Sequence, residues 1–120
     1  MTGELRDART GRLLVGCLVR ADTLITQTIG FLGRTRVDDD EAMWFDSCSG
    51  IHTLGMRVAI DVVFVDRDGV VLDVVSSVKP WRFWVGRSGA KSVLELATGN
   101  AERCGITPSM HLETRWHSPT

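Results

Sequence analysis

Cys48 and His52 are separated by three residues, and Arg57 and Asp61 follow at once in the chain. A thiol near an imidazole has two chemical readings, a thiolate nucleophile with its base or half of a zinc site. Zinc wants about four ligands with a recognisable second pair. The other histidines, His111 and His117, have no paired spacing, so no metal and no cofactor are expected. Cysteine catalysis would need a lowered thiol pKa and an oriented base. The plainer reading is a loop thiol beside a structural histidine. The acidic run Asp38-Asp39-Asp40-Glu41 reads as a solvated loop, since it lacks the spaced ligands of a calcium loop.

Asp61 lies in the run Ile60-Asp61-Val62-Val63-Phe64-Val65. A carboxylate among valines is costly unless it is paired or hydrogen-bonded. Arg57, four residues earlier, can offer two parallel bonds, and His52 and Lys79 are further partners. Asp61 could belong to a buried structural pair, bind a ligand, or act as a general acid or base. The last lacks a second catalytic carboxylate, so no catalytic residue is assigned. The expectation is one hydrogen-bonded unit of His52, Arg57 and Asp61 at the edge of a β core. Glu95, between Leu94 and Leu96, points away from both and is a further inward polar group.

The segment Lys79-Pro-Trp-Arg-Phe-Trp-Val-Gly-Arg-Ser-Gly-Ala-Lys91 mixes Trp81 and Trp84 with Lys79, Arg82, Arg87 and Lys91. Aromatics beside cations can stack bases or sugars, or anchor a protein partner. They can also close one end of a core while the cations snorkel. His52, Arg57, Asp61, Lys79, Trp81, Arg82 and Trp84 are therefore the candidate ligand-binding residues.

The elements that must position these groups are mostly strands. Leu13 to Val19, Ala42 to Phe45, Ser92 to Leu96 and Met110 to Glu113 are short apolar runs. Val58–Val65 and Val70–Val75 flank Asp68-Gly69 and form the clearest hairpin. A three-residue loop, Arg67 to Gly69, puts Phe64 opposite Leu72 and Val62 opposite Val74, which gives one wholly apolar face. A two-residue loop would put Phe64 opposite Asp73. The first register is expected, with Gly69 in the left-handed position of a bulged turn. Two short helices are expected: Leu24 to Leu32, capped by Asp22 or Thr23, and Gly99 to Cys104, capped by Thr98 and closed by Gly105.

The chain has 120 residues, enough for one domain that needs no staple. Residues 1–11 read as a disordered lead, 12–114 as a single β domain and 115–120 as a frayed tail. The fold expected is mainly β, a sandwich or jelly roll or a partly closed barrel. Fourteen basic and fifteen acidic side chains leave a net charge of −1, which gives no global attraction to nucleic acid. Three widely spaced cysteines fit reduced thiols rather than a disulfide framework. No signal peptide or membrane-span pattern is visible, so a soluble, cytoplasmic monomer is expected.

An ordered set of motifs adds a resemblance. It runs from Gly30-Phe31-Leu32-Gly33-Arg34 through Met43-Trp44-Phe45, Ile60-Asp61 with the Asp68-Gly69 turn, and Pro80. It continues through Val93-Leu94-Glu95-Leu96, Gly99 and Gly105-Ile106. The set spans roughly residues 13–113 and resembles the small prokaryotic family called domain of unknown function 192. The resemblance implies a compact β fold of jelly-roll or barrel type and no particular reaction. His52-Thr53-Leu54-Gly55-Met56-Arg57 stands where the family's common form has Trp-Met-Lys-Asn, so the chain resembles a separate branch. Ser109-Met110 replaces a usual Gly-Asp pair.

The function expected is a non-catalytic accessory β domain that binds a small ligand or a protein partner, not nucleic acid. The alternative is a small hydrolase-like enzyme using His52 and Asp61, with or without Cys48. The resemblance also keeps open a scaffold role in a secretion- or pilus-type assembly. Geometry discriminates between the first two: an enzyme needs converging side chains beside an open pocket.

Overall fold

The computed structural model describes residues 1–21 and 36–117. Among these residues, nine strands and one helix follow in chain order: β1 Thr2–Asp7, β2 Leu13–Arg20, β3 Glu41–Asp46, β4 Gly50–Ile51, β5 Ile60–Val65, β6 Val71–Val78, β7 Val85–Gly86, β8 Ser92–Ala97, α1 Asn100–Cys104 and β9 Leu112–Trp116. Seven strands make one sheet in the order β6-β5-β8-β3-β2-β1-β9, and β4 pairs with β7 in a separate ladder. The β2–β3 pairing is parallel and the others are antiparallel.

The mainly β expectation holds, but the sheet is not closed into a barrel. Its edge strands meet only near one end, at the bridge between Val70 and His111. Val71 N–H also reaches the Met110 carbonyl at 2.8 Å there. Nor is it a sandwich of two full sheets, because one sheet is buried on both faces. On one face, Leu5, Leu18, Trp44, Val63, Leu94 and Leu96 pack with Ala101 of α1. On the other, Met43, Phe45, Ile60, Val62, Phe64 and Val93 pack under Ile51, Met56 and Ala90. That explains why β5 and β8 read as unbroken apolar runs: all six residues of each are buried.

The expected lead at 1–11 is corrected. β1 lies inside the sheet between β2 and β9, with Leu5 fully buried. TGELRD hides this because Leu5 is its one large apolar residue. The tail is corrected in part, since Arg115 and Trp116 belong to β9. The helix expected at Leu24 to Leu32 lies outside the described residues. α1 is the one helix among them, and Gly99, not Thr98, is its N-cap, without a side-chain cap bond.

The hairpin register is also corrected. The loop is the expected one: Asp66 N–H donates to Val70 O at 2.9 Å, and Gly69 has φ +86°. The Asp66 carboxylate accepts the N–H groups of Asp68 and Val70 at 2.8 and 3.0 Å. Beyond Val65↔Val71, however, Phe64 pairs with Asp73, Val63 with Val74 and Val62 with Val75. Leu72 is an extra residue, a bulge that shifts the rest of the strand. The face argument failed because β5 is buried on both sides and so prefers neither register. Asp73 lies at the sheet's edge, and its carboxylate accepts the Val74 N–H at 2.9 Å.

Candidate functional site

The polar unit expected around Asp61 does not form. Asp61 is fully buried, and both its oxygens are occupied by backbone donors. Oδ1 accepts Ser77 N–H at 2.9 Å and Oδ2 accepts Ala101 N–H at 3.0 Å. The first bond falls where the β5–β6 pairing is irregular and Ser77 has φ +52°. The second satisfies an N–H at the start of α1, which no cap side chain serves. Asp61 thus finds its partners in the main chain, a pattern that sequence spacing cannot show. His52 is exposed, and its Nδ1 accepts the Leu54 N–H at 3.2 Å. Arg57 is exposed, and it is not among the partners of the Asp61 carboxylate. A general-acid or general-base pair of His52 and Asp61 has no geometric basis.

The aromatic–basic segment is held very differently. Trp81, Phe83 and Trp84 are 69%, 82% and 61% exposed, so they do not close the core. Thr53, buried to 1% exposure, fixes the loop that presents them. Its hydroxyl donates to Lys79 O at 2.7 Å and accepts Arg82 N–H at 2.8 Å. Its carbonyl accepts Trp81 N–H at 2.8 Å, and its N–H donates to Arg82 O at 2.9 Å. Trp81 takes φ +66°, a conformation costly for a bulky side chain and sustained by these bonds.

Trp84 rests on the β4–β7 ladder. A Cβ at Gly50 would come within 2.3 Å of its ring, and one at Gly86 within 2.6 Å. Only glycine at both positions lets the indole lie on the backbone. Lys79, Arg82, Arg87 and Lys91 are exposed, and no acidic residue occurs between 79 and 91 in the chain, although Lys91 lines a separate surface hollow with Asp46, Asp66 and Asp68. Ser49, Trp84, Gly86 and Arg87 line a shallow depression of about 390 Å³ beside the indole. Of the residues expected to bind, the structure gathers Lys79, Trp81, Arg82 and Trp84 in one loop. His52 and Arg57 are exposed residues of the segment that carries Thr53. Sequence reasoning did not single out Thr53, which carries no sequence signal, or Phe83, whose exposure apolar character hides.

Cys48 is half-buried, and its thiol donates to Gly50 O at 2.9 Å. Burial raises its pKa, and the negative charge of Glu95 adds to the rise. That is the opposite of a primed nucleophile. Among the described residues, no group of three or more His, Cys, Asp or Glu side chains could hold a metal ion. The three cysteines are free thiols. No helix among the described residues is long and apolar enough to cross a membrane.

A model of the domain of unknown function 192 family, described as an uncharacterized ACR, matches residues 8–114. A UPF0127 protein of Pyrococcus furiosus is 37% identical over 65 residues, which is 54% of this chain and 55% of the relative. One from Thermococcus sibiricus is 39% identical over 51 residues, 42% of this chain and 32% of the relative. The match thus spans about half or less of these relatives' length. A solved protein of unknown function from Novosphingobium aromaticivorans superposes with a TM-score of 0.75 at 24% identity, over 94% of this chain and 84% of that one. A structure from Sinorhizobium meliloti gives 0.79 at 22% identity, over 94% and 92%. At these identities the likeness is one of fold.

Proposed function

The chain belongs to the domain of unknown function 192 family, and on that footing we propose that it is a binding domain whose contact surface is the loop from Lys79 to Lys91. The observation that carries this reading is the exposure of Trp81, Phe83 and Trp84 on a loop locked by buried Thr53. Large aromatics on a pre-ordered backbone lose little entropy on binding and are typical anchors of protein contacts. Exposing three together in a soluble chain needs a reason, since contiguous apolar patches mark interaction sites. Lys79, Arg82 and Arg87, in a segment with no acidic residue, favour a partner with acidic groups beside apolar ones.

The enzyme alternative loses its support with Asp61, whose oxygens serve Ser77 and Ala101. Fluorescence anisotropy against a panel of acidic peptides containing aromatic or leucine residues tests the binding reading. Wild type should bind a subset saturably, and Trp81→Ala with Trp84→Ala should weaken that binding tenfold or more while the fold survives. Equal affinity of both proteins for every peptide would overturn it.

A further inference from the structure

The sheet has one covered end and one open end. At the covered end, Ala101 of α1 packs on the face that carries Leu18, Leu94 and Leu96, and Asp61 holds the first turn of the helix. At the other end, where β3 finishes and β8 starts, a hollow of about 750 Å³ opens. Asp46 of β3, Ser92 of β8, Arg20 of β2, Thr114 and Trp116 of β9, and the turn at 66–69 surround it. Alternation places these strand residues on the α1 face: Asp46 with Trp44, Ser92 with Leu94, and Thr114 with Leu112. The hollow is therefore the mouth of the curled sheet. It corresponds to the mouth of a barrel, where small ligands are commonly held.

The inward positions change character at this mouth, from leucine and valine to groups that hydrogen-bond. Arg20 Nε–H donates to Asp46 Oδ2 at 2.7 Å, and Nη2 lies 2.6 Å from the same oxygen. Asp46 Oδ1 accepts the Trp44 Nε1–H at 2.9 Å. The Arg20 guanidinium also lies over the Trp116 ring, 5.4 Å from its centroid. A donor and an acceptor are thus fixed side by side against two indoles. Ser47, the next residue, takes φ +52°, a costly backbone state that tends to gather at functional sites. Arg20 and Asp46 are each more than a third exposed, and such a pair adds little stability.

The charges select the ligand class. Arg20, Arg67 and Lys91 line the hollow together with Asp46, Asp66 and Asp68, and their formal charges cancel. An anion would meet the carboxylates, a cation would meet the bases, and an apolar molecule would strip water from both. A neutral ligand rich in hydroxyls suits both signs, because each hydroxyl donates and accepts. Two adjacent hydroxyls match an adjacent guanidinium and carboxylate, which have more bonding sites than they use on each other. Trp44, Leu112 and Trp116 add an apolar wall.

We propose that this mouth binds a neutral pyranose sugar. Asp46 and Arg20 grip two neighbouring hydroxyls, and the C–H face of the ring lies against Trp44, Leu112 and Trp116. Trp81, Phe83 and Trp84 do not line the hollow, so this site stands or falls without the aromatic loop.

The probes are the methyl β-pyranosides of glucose, galactose, mannose and N-acetylglucosamine. Each is titrated into the isotope-labelled full chain and followed by NMR, with inorganic phosphate and glycine as charged comparisons. At least one glycoside should shift the Trp44 indole N–H along a saturable isotherm, and neither phosphate nor glycine should. Asp46→Asn should weaken that binding tenfold or more, whereas Trp81→Ala with Trp84→Ala should leave it unchanged. Nuclear Overhauser contacts from the sugar ring to Thr114 and Trp116 of the wild-type chain keep the test decisive if Asp46→Asn does not fold. No saturable shift with any of the four, equal affinity in Asp46→Asn, loss of binding in the tryptophan variant, absence of those contacts, or tighter binding of phosphate or glycine would each overturn the proposal.

Discussion

The Asp61 carboxylate holds the Ala101 N–H at 3.0 Å through Oδ2, joining strand β5 to a helix forty positions later in the chain. Its other oxygen holds Ser77 N–H at 2.9 Å. One buried side chain therefore fastens the irregular part of β6 and the first turn of α1. Asp61→Ala strands two backbone donors and should destabilise by roughly 3 kcal/mol, since each buried unsatisfied group costs about 1–3 kcal/mol. Arg57→Ala should cost within about 0.5 kcal/mol, as expected of an exposed side chain. Denaturant melts of both and of the double mutant should show additivity within about 0.5 kcal/mol. A larger coupling would restore the Arg57–Asp61 pair.

Thr53→Val removes the two hydroxyl bonds to Lys79 and Arg82 and keeps the shape of the side chain. It should destabilise by about 2 kcal/mol, because it leaves a carbonyl and an N–H without partners. It should also weaken peptide binding, by freeing the loop that carries the tryptophans. Melts and anisotropy on the same sample check both outcomes. Unchanged affinity would show that the loop needs no pre-ordering.

Gly69 has φ +86°, and a Cβ there would lie 2.9 Å from Leu112 O and 3.2 Å from the His111 ring. Gly69→Val should lower stability by about 1 kcal/mol or more through positive φ alone. The clash with the segment entering β9 adds to that. A melting temperature equal to wild type would contradict the turn geometry.

Glu95 gives a pH signature. Its carboxyl titrates near 7 in the folded chain, against 4.5 as the ordinary value. The folded state binds this proton more tightly than the unfolded one. The contribution is therefore whole below about 4.5 and is lost as pH rises through 7. Glu95→Gln, which stays neutral, should be more stable than wild type at pH 8, by up to about 3 kcal/mol. The gap should close near pH 4.5. Melting both proteins from pH 4.5 to 8 measures this, and a constant difference across that range would contradict a carboxyl raised by burial.

Much of the fold is legible in the chain. β2, β3, β5, β6 and β8 show as apolar runs, and Asp68-Gly69 marks its turn. β1 is illegible because one buried leucine in six residues makes no pattern. The register is illegible because β5 is buried on both faces, so alternation does not choose between pairings. The site is legible only in part. Trp81, Arg82 and Trp84 stand out by type, but their exposure depends on Thr53, which nothing near it in sequence reveals. Asp61 is visibly a buried carboxylate in need of a partner. Its partners are main-chain N–H groups, and those are present in every segment and so signal nothing.

The direct test of the central claim is the indole N–H spectrum of the four tryptophans during titration with the tightest acidic peptide. Trp81 and Trp84 sit on the exposed loop, while Trp44 is buried and Trp116 lies in β9 beneath the Arg20 guanidinium. The account predicts that the Trp81 and Trp84 signals shift with the binding isotherm while those of Trp44 and Trp116 stay in place. Movement of Trp44 and Trp116 alone, or of none of the four at saturation, would contradict it.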